Sequence, residues 1–267
     1  MSMASATPMS MARELRQRLA GRGAPVIATF VKLPTTDTVE LVARAGFDVA
    51  IIDLEHSQLS EREARRLVTH AVAIGFPALV RIPATDAAAI NRILEAGAVG
   101  VQLSMVRRRV QIDELCSACA YPPNGTRSIN LAHVAGAFGV TAMNDYLASM
   151  ADDGPILVGQ IETATTVDPL DDIVTGLDVA FGGTTDLSIS LGEPGQLDGP
   201  AVRRRLSEIA DSAGRAGVTW GAFTGTPEGA RRLLAEGARY VALGADLGVL
   251  GAGLRTARSS IERSEAD

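Results

Sequence analysis

Four short stretches of the 267-residue chain carry the side chains best able to do chemistry: Asp53-Leu54-Glu55-His56-Ser57, Val80-Arg81, Gln160-Ile161-Glu162-Thr163 and Gly182-Gly183-Thr184-Thr185-Asp186. Glu162 and Asp186 are the metal candidates. Two carboxylates in one low-dielectric pocket repel unless a cation lies between them or one is protonated. Two carboxylates completed by water and a chelating ligand suit Mg²⁺ or Mn²⁺ better than a closed zinc site. The same acids could instead cap helices or join surface ion pairs. Arg81 sits in the apolar run Leu79-Val80-Arg81-Ile82-Pro83. A guanidinium buried there needs an anion, because an unpaired buried charge is costly. That anion is a substrate group, Asp53 or Glu55. His56 follows two acids able to orient its ring, the setting of a general base, although a lone His is more often structural. Gly182-Gly183 would let backbone N–H groups approach a ligand carboxylate. A phosphate cradle is the rival, but neither a Walker pattern nor G-x-G-x-x-G is present.

These residues act together only if the fold gathers them. Short β-branched runs alternate with longer amphipathic ones, the βαβα pattern. The strand candidates are Val26–Val31, Val49–Leu54, Ala78–Ile82, Val99–Leu103, Ile156–Ile161, Val179–Gly182, Thr219–Phe223 and Tyr240–Gly244. Most are nearly all apolar, as expected for strands covered on both faces. Between them, Val39, Leu41, Val42 and Ala45 run at helical spacing into Gly46. Ile90, Ile93 and Leu94 lead to Gly97, and Ala230, Leu233 and Leu234 to Gly237, each glycine a helix stop. Eight such units predict a closed (β/α)₈ TIM barrel more readily than an open sheet. The four stretches then meet at the strands' C-terminal ends, where such barrels carry their active sites. The organisation expected is a disordered tail and leading helix over residues 1–20, one barrel over 21–260 and a polar tail over 261–267. The stretch Tyr121 to Gly154, with the turn Pro122-Pro123-Asn124-Gly125, breaks the rhythm. It should carry short helices of its own and wrap the barrel from below.

Composition removes several classes. At 46% hydrophobic residues the chain can bury one large core. Its net charge of −6 comes from interspersed acids and bases, with no face built for nucleic acid or an anionic membrane. Aromatics are 4%, too few for a base-stacking platform. Met1–Met11 has no basic opening and no long apolar core, so it reads as a disordered tail rather than a signal peptide. No apolar run approaches the ~20 residues that span a bilayer, and the expectation is a soluble, cytoplasmic protein. Cys116 and Cys119 form a C-x-x-C inside the helical stretch Val110–Ala120, with no further Cys to complete a zinc site. They are expected to be helix residues without chemistry.

From about Pro25 to Thr256 the chain resembles the HpcH/HpaI aldolases, metal-dependent class II pyruvate aldolases. The resemblance rests on Gly46-Phe47-Asp48, Ile52-Asp53-Leu54-Glu55-His56, Val80-Arg81, Tyr121-Pro122-Pro123-Asn124-Gly125-Thr126-Arg127, Gln160-Ile161-Glu162-Thr163, Asp186-Leu187-Ser188 and Leu191-Gly192, in family order. It implies that Glu162 and Asp186 ligate a divalent ion (Mg²⁺, Mn²⁺ or Co²⁺). Arg81 would hold the keto oxygen of pyruvate. His56, steadied by Asp53, would be the base acting on the aldol hydroxyl. Gln160 would lie near the pyruvate, and the amides around Thr185 and Asp186 would bind its carboxylate. The substrates implied are 2-oxoacids and aldehydes, cleaved or joined through a pyruvate enolate. The resemblance also implies a homo-oligomer, commonly a hexamer, with the C-terminal helix exchanged and Glu95 reaching a neighbour's site. No Schiff-base lysine is needed, and Lys32, the only lysine, lies outside the matched positions.

The chain departs from the family's usual pattern at three places. It has Gly183-Thr184-Thr185-Asp186 for Gly-Pro-Ala-Asp, Arg127-Ser128 for Arg-Gly, and Leu103-Ser104-Met105-Val106 for Val-Pro-Met-Val. These changes leave the metal positions intact and bear on the substrate. Ala28 to Pro34 and Leu191 to Gln196 also resemble the family's siderophore-associated citrate synthase, and macrophomate synthase is a further relative. A synthase or decarboxylase acting on oxaloacetate is therefore the alternative. A barrel that binds a 2-oxoacid without turning it over is a third.

Overall fold

Eight parallel strands close into a barrel in chain order, each strand hydrogen-bonded to its neighbours in sequence. The computed structural model describes residues 6–263. Its strands are β1 (Val26–Val31), β2 (Val49–Asp53), β3 (Ala78–Ile82), β4 (Gly100–Leu103), β5 (Ile156–Ile161), β6 (Val179–Gly182), β7 (Thr219–Thr224) and β8 (Tyr240–Ala245). The (β/α)₈ barrel expected from the sequence is thus the fold, and the strand limits differ from expectation by no more than a residue at either end. Helices α2 (Thr36–Arg44), α3 (Glu61–Ala73), α4 (Ala87–Glu95) and α5 (Arg109–Cys119) follow the first four strands. Then come α7 (Leu170–Val174) after β5, α8 (Thr184–Ser190) and α9 (Pro200–Ala216) after β6, α10 (Pro227–Ala235) after β7 and α11 (Asp246–Arg263) after β8. Ser60 and Glu63 form a reciprocal capping box on α3. Gly46 and Gly237 end α2 and α10 with φ of 85° and 93°, which a β-carbon would oppose.

Strand side chains alternate between the two faces. Val26, Ala28 and Phe30 of β1, Ile51 of β2, Leu79 of β3, Val158 of β5, Phe181 of β6 and Tyr240 of β8 pack as one interior cluster. The intervening Ala50, Ile52, Val80, Val101 and Leu103 pack outward with the helices. The bottom of the interior is closed by α1 (Pro8–Leu19), whose Met11, Ala12, Leu15 and Leu19 join the inner cluster. The expected disordered tail is corrected here for Pro8 to Met11. Thr7 caps α1 by accepting the Ser10 N–H at 3.1 Å, Pro8 stands in its first turn, and Met11 is buried. Apolar residues spaced by four along this stretch drive it into the barrel base. Residues 1–5 of that tail, and 264–267 of the expected polar tail, lie outside the described residues.

The long insertion carries a 3₁₀ turn (Val134–Gly139) and α6 (Met143–Asp152), and it is anchored rather than loose. Tyr146 is fully buried, Asp153 pairs with Arg13 of α1, and Arg127 donates to Asn91 of α4 at 2.8 Å. At the other end of the chain, α11 leaves Leu247, Val249, Leu250 and Leu254 47–66% exposed. It does not cover its own barrel with that face. No described helix is long and apolar enough to cross a membrane.

Candidate active site

Two steps above the apolar interior, the inward files turn polar. Lys32 follows Phe30, Asp53 and Glu55 follow Ile51, Arg81 follows Leu79, and Gln160 and Glu162 follow Val158. Register sets Asp53 beside Arg81 and Arg81 beside Gln102 of β4. A cavity of about 220 Å³ opens there, lined by Phe30, Lys32, His56, Arg81, Gln160, Glu162, Phe181, Phe223 and the α8 start from Gly183 to Asp186.

The Arg81 guanidinium makes a two-pronged bond to Asp53, at 2.9 Å from Nε and 2.6 Å from Nη2. Its Nη1 lies 3.3 Å from Glu55, and its plane rides 4.4 Å over the Phe30 ring. Of the anions open to Arg81 from the sequence, Asp53 and Glu55 are the ones it meets. Asp53 is fully buried. Burial pushes its carboxyl up, but the Arg81 bond and charge and the N–H groups of His56 and Glu55 outweigh this and hold it at about 2. His56 is 54% exposed at the cavity mouth, its Nε2 3.6 Å from Glu55 Oε2. Asp53 steadies His56 through its backbone N–H, at 3.2 Å, and the ring faces the second acid, Glu55. Glu55 accepts from Ser104 at 2.7 Å through Oε1, while its buried Oε2 has no hydrogen-bond donor.

On the opposite wall, Glu162 is 2% exposed. It accepts the Met105 N–H at 2.7 Å and an amide N–H of Gln160, whose own carbonyl accepts from Gln102 at 2.6 Å. Among the described residues no basic side chain pairs with Glu162 or Asp186, so the ion-pair alternative does not hold. Burial above all, with the charges of Glu55 and Asp186 adding to it, pushes Glu162 from the ordinary 4.5 up to about 7. Asp186 is half-buried in the first turn of α8, and Thr185 beside it is exposed. The N–H groups of that turn have no partner within the helix. The two glycines have nearer causes than ligand approach. A β-carbon at Gly183 would lie 2.3 Å from Glu162 Oε2, and one at Gly182 would lie 2.2 Å from Leu206 Cδ2.

Among the described residues, no three metal-ligating side chains converge. A cation here would rest on Glu162 and Asp186 and be completed by water and ligand, which is how Mg²⁺ is usually bound. The residues fit such an ion, since a buried acid pushed up to about 7 is one whose charge lacks a partner. Glu95 lies outside this cavity, in a separate groove with Arg62, Arg66 and His70. Cys116 and Cys119 stay within α5, and burial raises both thiols, Cys119 to about 12. They offer no thiolate.

Residues 27–252 match the HpcH/HpaI aldolase/citrate lyase family. The chain belongs to that family. It is 34% identical over 230 residues to a hydroxypyruvate/pyruvate aldolase of Agrobacterium fabrum, covering 84% of this chain and 85% of that one. A 5-keto-4-deoxy-D-glucarate aldolase of Shigella dysenteriae serotype 1 is 32% identical over 217 residues, covering 79% and 82%. Among solved structures, citrate synthase SbnG superimposes with a TM-score of 0.83 at 26% identity, covering 95% of this chain and 99% of that one. The chain is therefore an enzyme of the carbon–carbon lyase class.

This HpcH/HpaI member has three site residues that sequence reasoning passed over. Lys32 was legible by parity, two residues beyond inward Phe30. Gln102 was legible as an amide in a buried strand. Met105 had no signal: it takes φ of 52°, sparsely used by residues other than glycine, and so aims its N–H at Glu162.

The raised Glu162 carboxyl carries a pH signature in the ion-free protein. The folded state keeps its proton longer than the unfolded chain, so stability falls as pH rises from about 4.5 through about 7. Glu162→Gln is expected to abolish that fall. Its stability relative to the parent should rise by on the order of 1–3 kcal/mol between about pH 5 and about pH 8, by denaturant titration in chelator. Parallel profiles for the two proteins would mean that Glu162 ionises freely.

Proposed function

We propose that this family member is a divalent-metal-dependent aldolase that cleaves or forms 4-hydroxy-2-oxoacids through a pyruvate enolate, releasing or accepting an aldehyde. The observation that carries this is Glu162, a buried carboxylate that no basic side chain pairs with among the described residues, sharing a cavity with Asp186, Arg81 and His56. Glu162 and Asp186 would hold the ion, which supplies a Lewis acid able to polarise the 2-oxo group. The first-turn N–H groups at Thr185 and Asp186 bind the substrate carboxylate, and Gln160 flanks it while orienting Glu162. Arg81, already fixed by Asp53, donates to the keto oxygen and stabilises the negative charge that develops there. His56 takes the proton from the C4 hydroxyl. The C3–C4 bond breaks, its electrons become the C2–C3 double bond of the enolate, and the C4 fragment leaves as an aldehyde. Glu55 lies 3.6 Å from His56 Nε2, beside the ring that takes this proton. Phe30, Phe181 and Phe223 wall the enolate from water. A covalent lysine adduct has no role, because Lys32 is engaged by Asp53 and the His56 carbonyl.

The likeness to citrate synthase SbnG favours one alternative, condensation or decarboxylation with oxaloacetate in place of aldol cleavage. Turnover of any 4-hydroxy-2-oxoacid would exclude a non-catalytic oxoacid-binding barrel. We also infer a homo-oligomer, because the apolar face of α11 is exposed on its own barrel, and the family resemblance implies a hexamer with α11 exchanged. Light scattering should give six subunits, and a monomer at micromolar concentration would refute the exchange.

Chelation should abolish turnover, and Mg²⁺, Mn²⁺ or Co²⁺ should restore it. Glu162→Gln or Asp186→Asn should weaken ion binding at least ~10-fold by calorimetry. Full activity after metal stripping, or a borohydride-trapped lysine adduct, would sink the mechanism. Roles separate across two reactions that share the enolate. Oxaloacetate decarboxylation needs no proton removed from a hydroxyl, whereas aldol cleavage does. His56→Ala should slow cleavage by roughly 10²–10⁴-fold and decarboxylation far less. Arg81→Ala should impair both. Equal losses for His56→Ala would show that His56 only holds the site together.

A further inference from the structure

Lys32 is the only lysine of the chain and stands in the cavity wall. Its Nζ lies 3.2 Å from Oδ2 of the fully buried Asp53 and donates to the His56 carbonyl at 3.1 Å. The root of the side chain is fixed separately. The N–H groups of Lys32 and Leu33 both donate, at 2.9 Å, to Oδ2 of Asp246, the first residue of α11. One end of Lys32 is thus tied to the continuation of β8, and the other to the turn that follows β2.

That turn, Leu54 to Ser57, carries His56 over the cavity. Asp53 organises it from below by accepting the N–H groups of Glu55 and His56 at 3.0 and 3.2 Å. Among the described residues, Lys32 makes the one hydrogen bond that reaches the His56 main chain from another strand. The first half of the turn has other ties, Leu54 N–H to the Arg81 carbonyl at 3.0 Å and Glu55 to Ser104 and Arg81, so the lysine's hold falls on His56 itself. His56 is 54% exposed at its side chain, so little packing would hold the ring in its stead.

We propose that Lys32 is a positioning residue, its ammonium bridging the Asp53 carboxylate and the His56 carbonyl so that the turn after β2 presents His56 to the substrate. This rests on His56 being the general base of the proposed cleavage. An ammonium has three N–H donors. One is spent on the His56 carbonyl while the charge pairs with Asp53, which is the pattern of a brace rather than of a free substrate-binding cation. The bonds of Asp53 to Arg81 and to the two turn N–H groups do not involve Lys32, so a Lys32 variant is expected to keep the barrel.

Lys32→Met keeps the stem and removes charge and donors, while Lys32→Arg keeps both. Amide hydrogen exchange over residues 54–58 should be roughly 10-fold faster in Lys32→Met than in the parent, and near the parent rate in Lys32→Arg. In the metal-loaded enzyme, Lys32→Met should lower kcat for aldol cleavage by roughly 10- to 100-fold, the scale of a misplaced catalytic group. KM should stay within about twofold and oxaloacetate decarboxylation should be largely spared, with Lys32→Arg restoring most of the cleavage rate. Unchanged exchange in the turn would overturn the proposal. So would a rise in KM common to both reactions, which would make the ammonium a substrate ligand. Should the parent enzyme turn over neither substrate, the aldolase reading fails, and the exchange comparison still decides the role of Lys32.

Discussion

In a closed eight-stranded barrel every second side chain of every strand must point into one shared interior. That constraint governs the molecule from base to mouth. The lower inward positions, among them Val26, Ile51, Leu79 and Tyr240, are apolar and fill the barrel, with α1 as a plug beneath them. The upper inward positions are not free to be apolar or polar at random. They are brought within hydrogen-bonding distance of one another across strands by the same register that packs the layers below. Asp53, Arg81 and Gln102 stand side by side because β2, β3 and β4 pair there. The site is therefore the top layer of the core, and its rigidity is inherited from the packing under it.

The charges in that layer do not balance. Asp53, Glu55, Glu162 and Asp186 bring four carboxylates, and Arg81 and Lys32 bring two permanent cations. The cations both go to the β2 side, where Asp53 is held at about 2. Glu162 receives only neutral donors, from Met105 and Gln160, and its carboxyl is pushed up to about 7. Hydrogen bonds to neutral groups soften the burial of a charge but do not replace a counterion. One side of the cavity is thus a finished electrostatic unit and the other an unfinished one. The unfinished side is short of about two positive charges, and a single divalent ion would supply them. That asymmetry is the main physical support for the proposed cofactor.

Much of this arrangement was legible from residue order. Glycine stops after amphipathic runs gave the barrel, and the polar residues ending Val49–Asp53, Ala78–Ile82 and Ile156–Ile161 marked its mouth. What the sequence hides is pairing. Nothing in Asp53-Leu54-Glu55-His56 says which acid meets the ring and which the main chain, because that depends on the turn closing over Asp53. The left-handed Met105 is equally silent, since its conformation follows from where β4 ends relative to Glu162. The helical start at Pro8 was hidden by composition: Ser, Met and Ala resemble a tail until a barrel base is present to bury Met11 and Leu15. Lys32 could have been found by carrying the inward parity of β1 one step past its last strand residue.

The three departures from the family pattern are best understood by what their hydroxyls touch. Thr184, where the family usually has Pro, donates to the Phe223 carbonyl at 3.0 Å and ties the start of α8 to β7. A proline would restrain the same junction through its ring, so the backbone that carries Asp186 is held by a different bond for the same end. Ser128 accepts from Asn91 at 3.2 Å, on the α4 side and away from the cavity lining. Ser104 is the exception in consequence. It also replaces a usual proline, but its hydroxyl donates at 2.7 Å to Glu55, the acid that faces the His56 ring. A hydrogen bond to that carboxylate draws electron density from it and weakens its hold on an imidazolium. Ser104 therefore acts on the side of the proposed base, His56, and leaves Glu162 and Asp186, the carboxylates proposed to hold the ion, untouched. Thr185 is left as the departure whose side chain is exposed in the cavity lining.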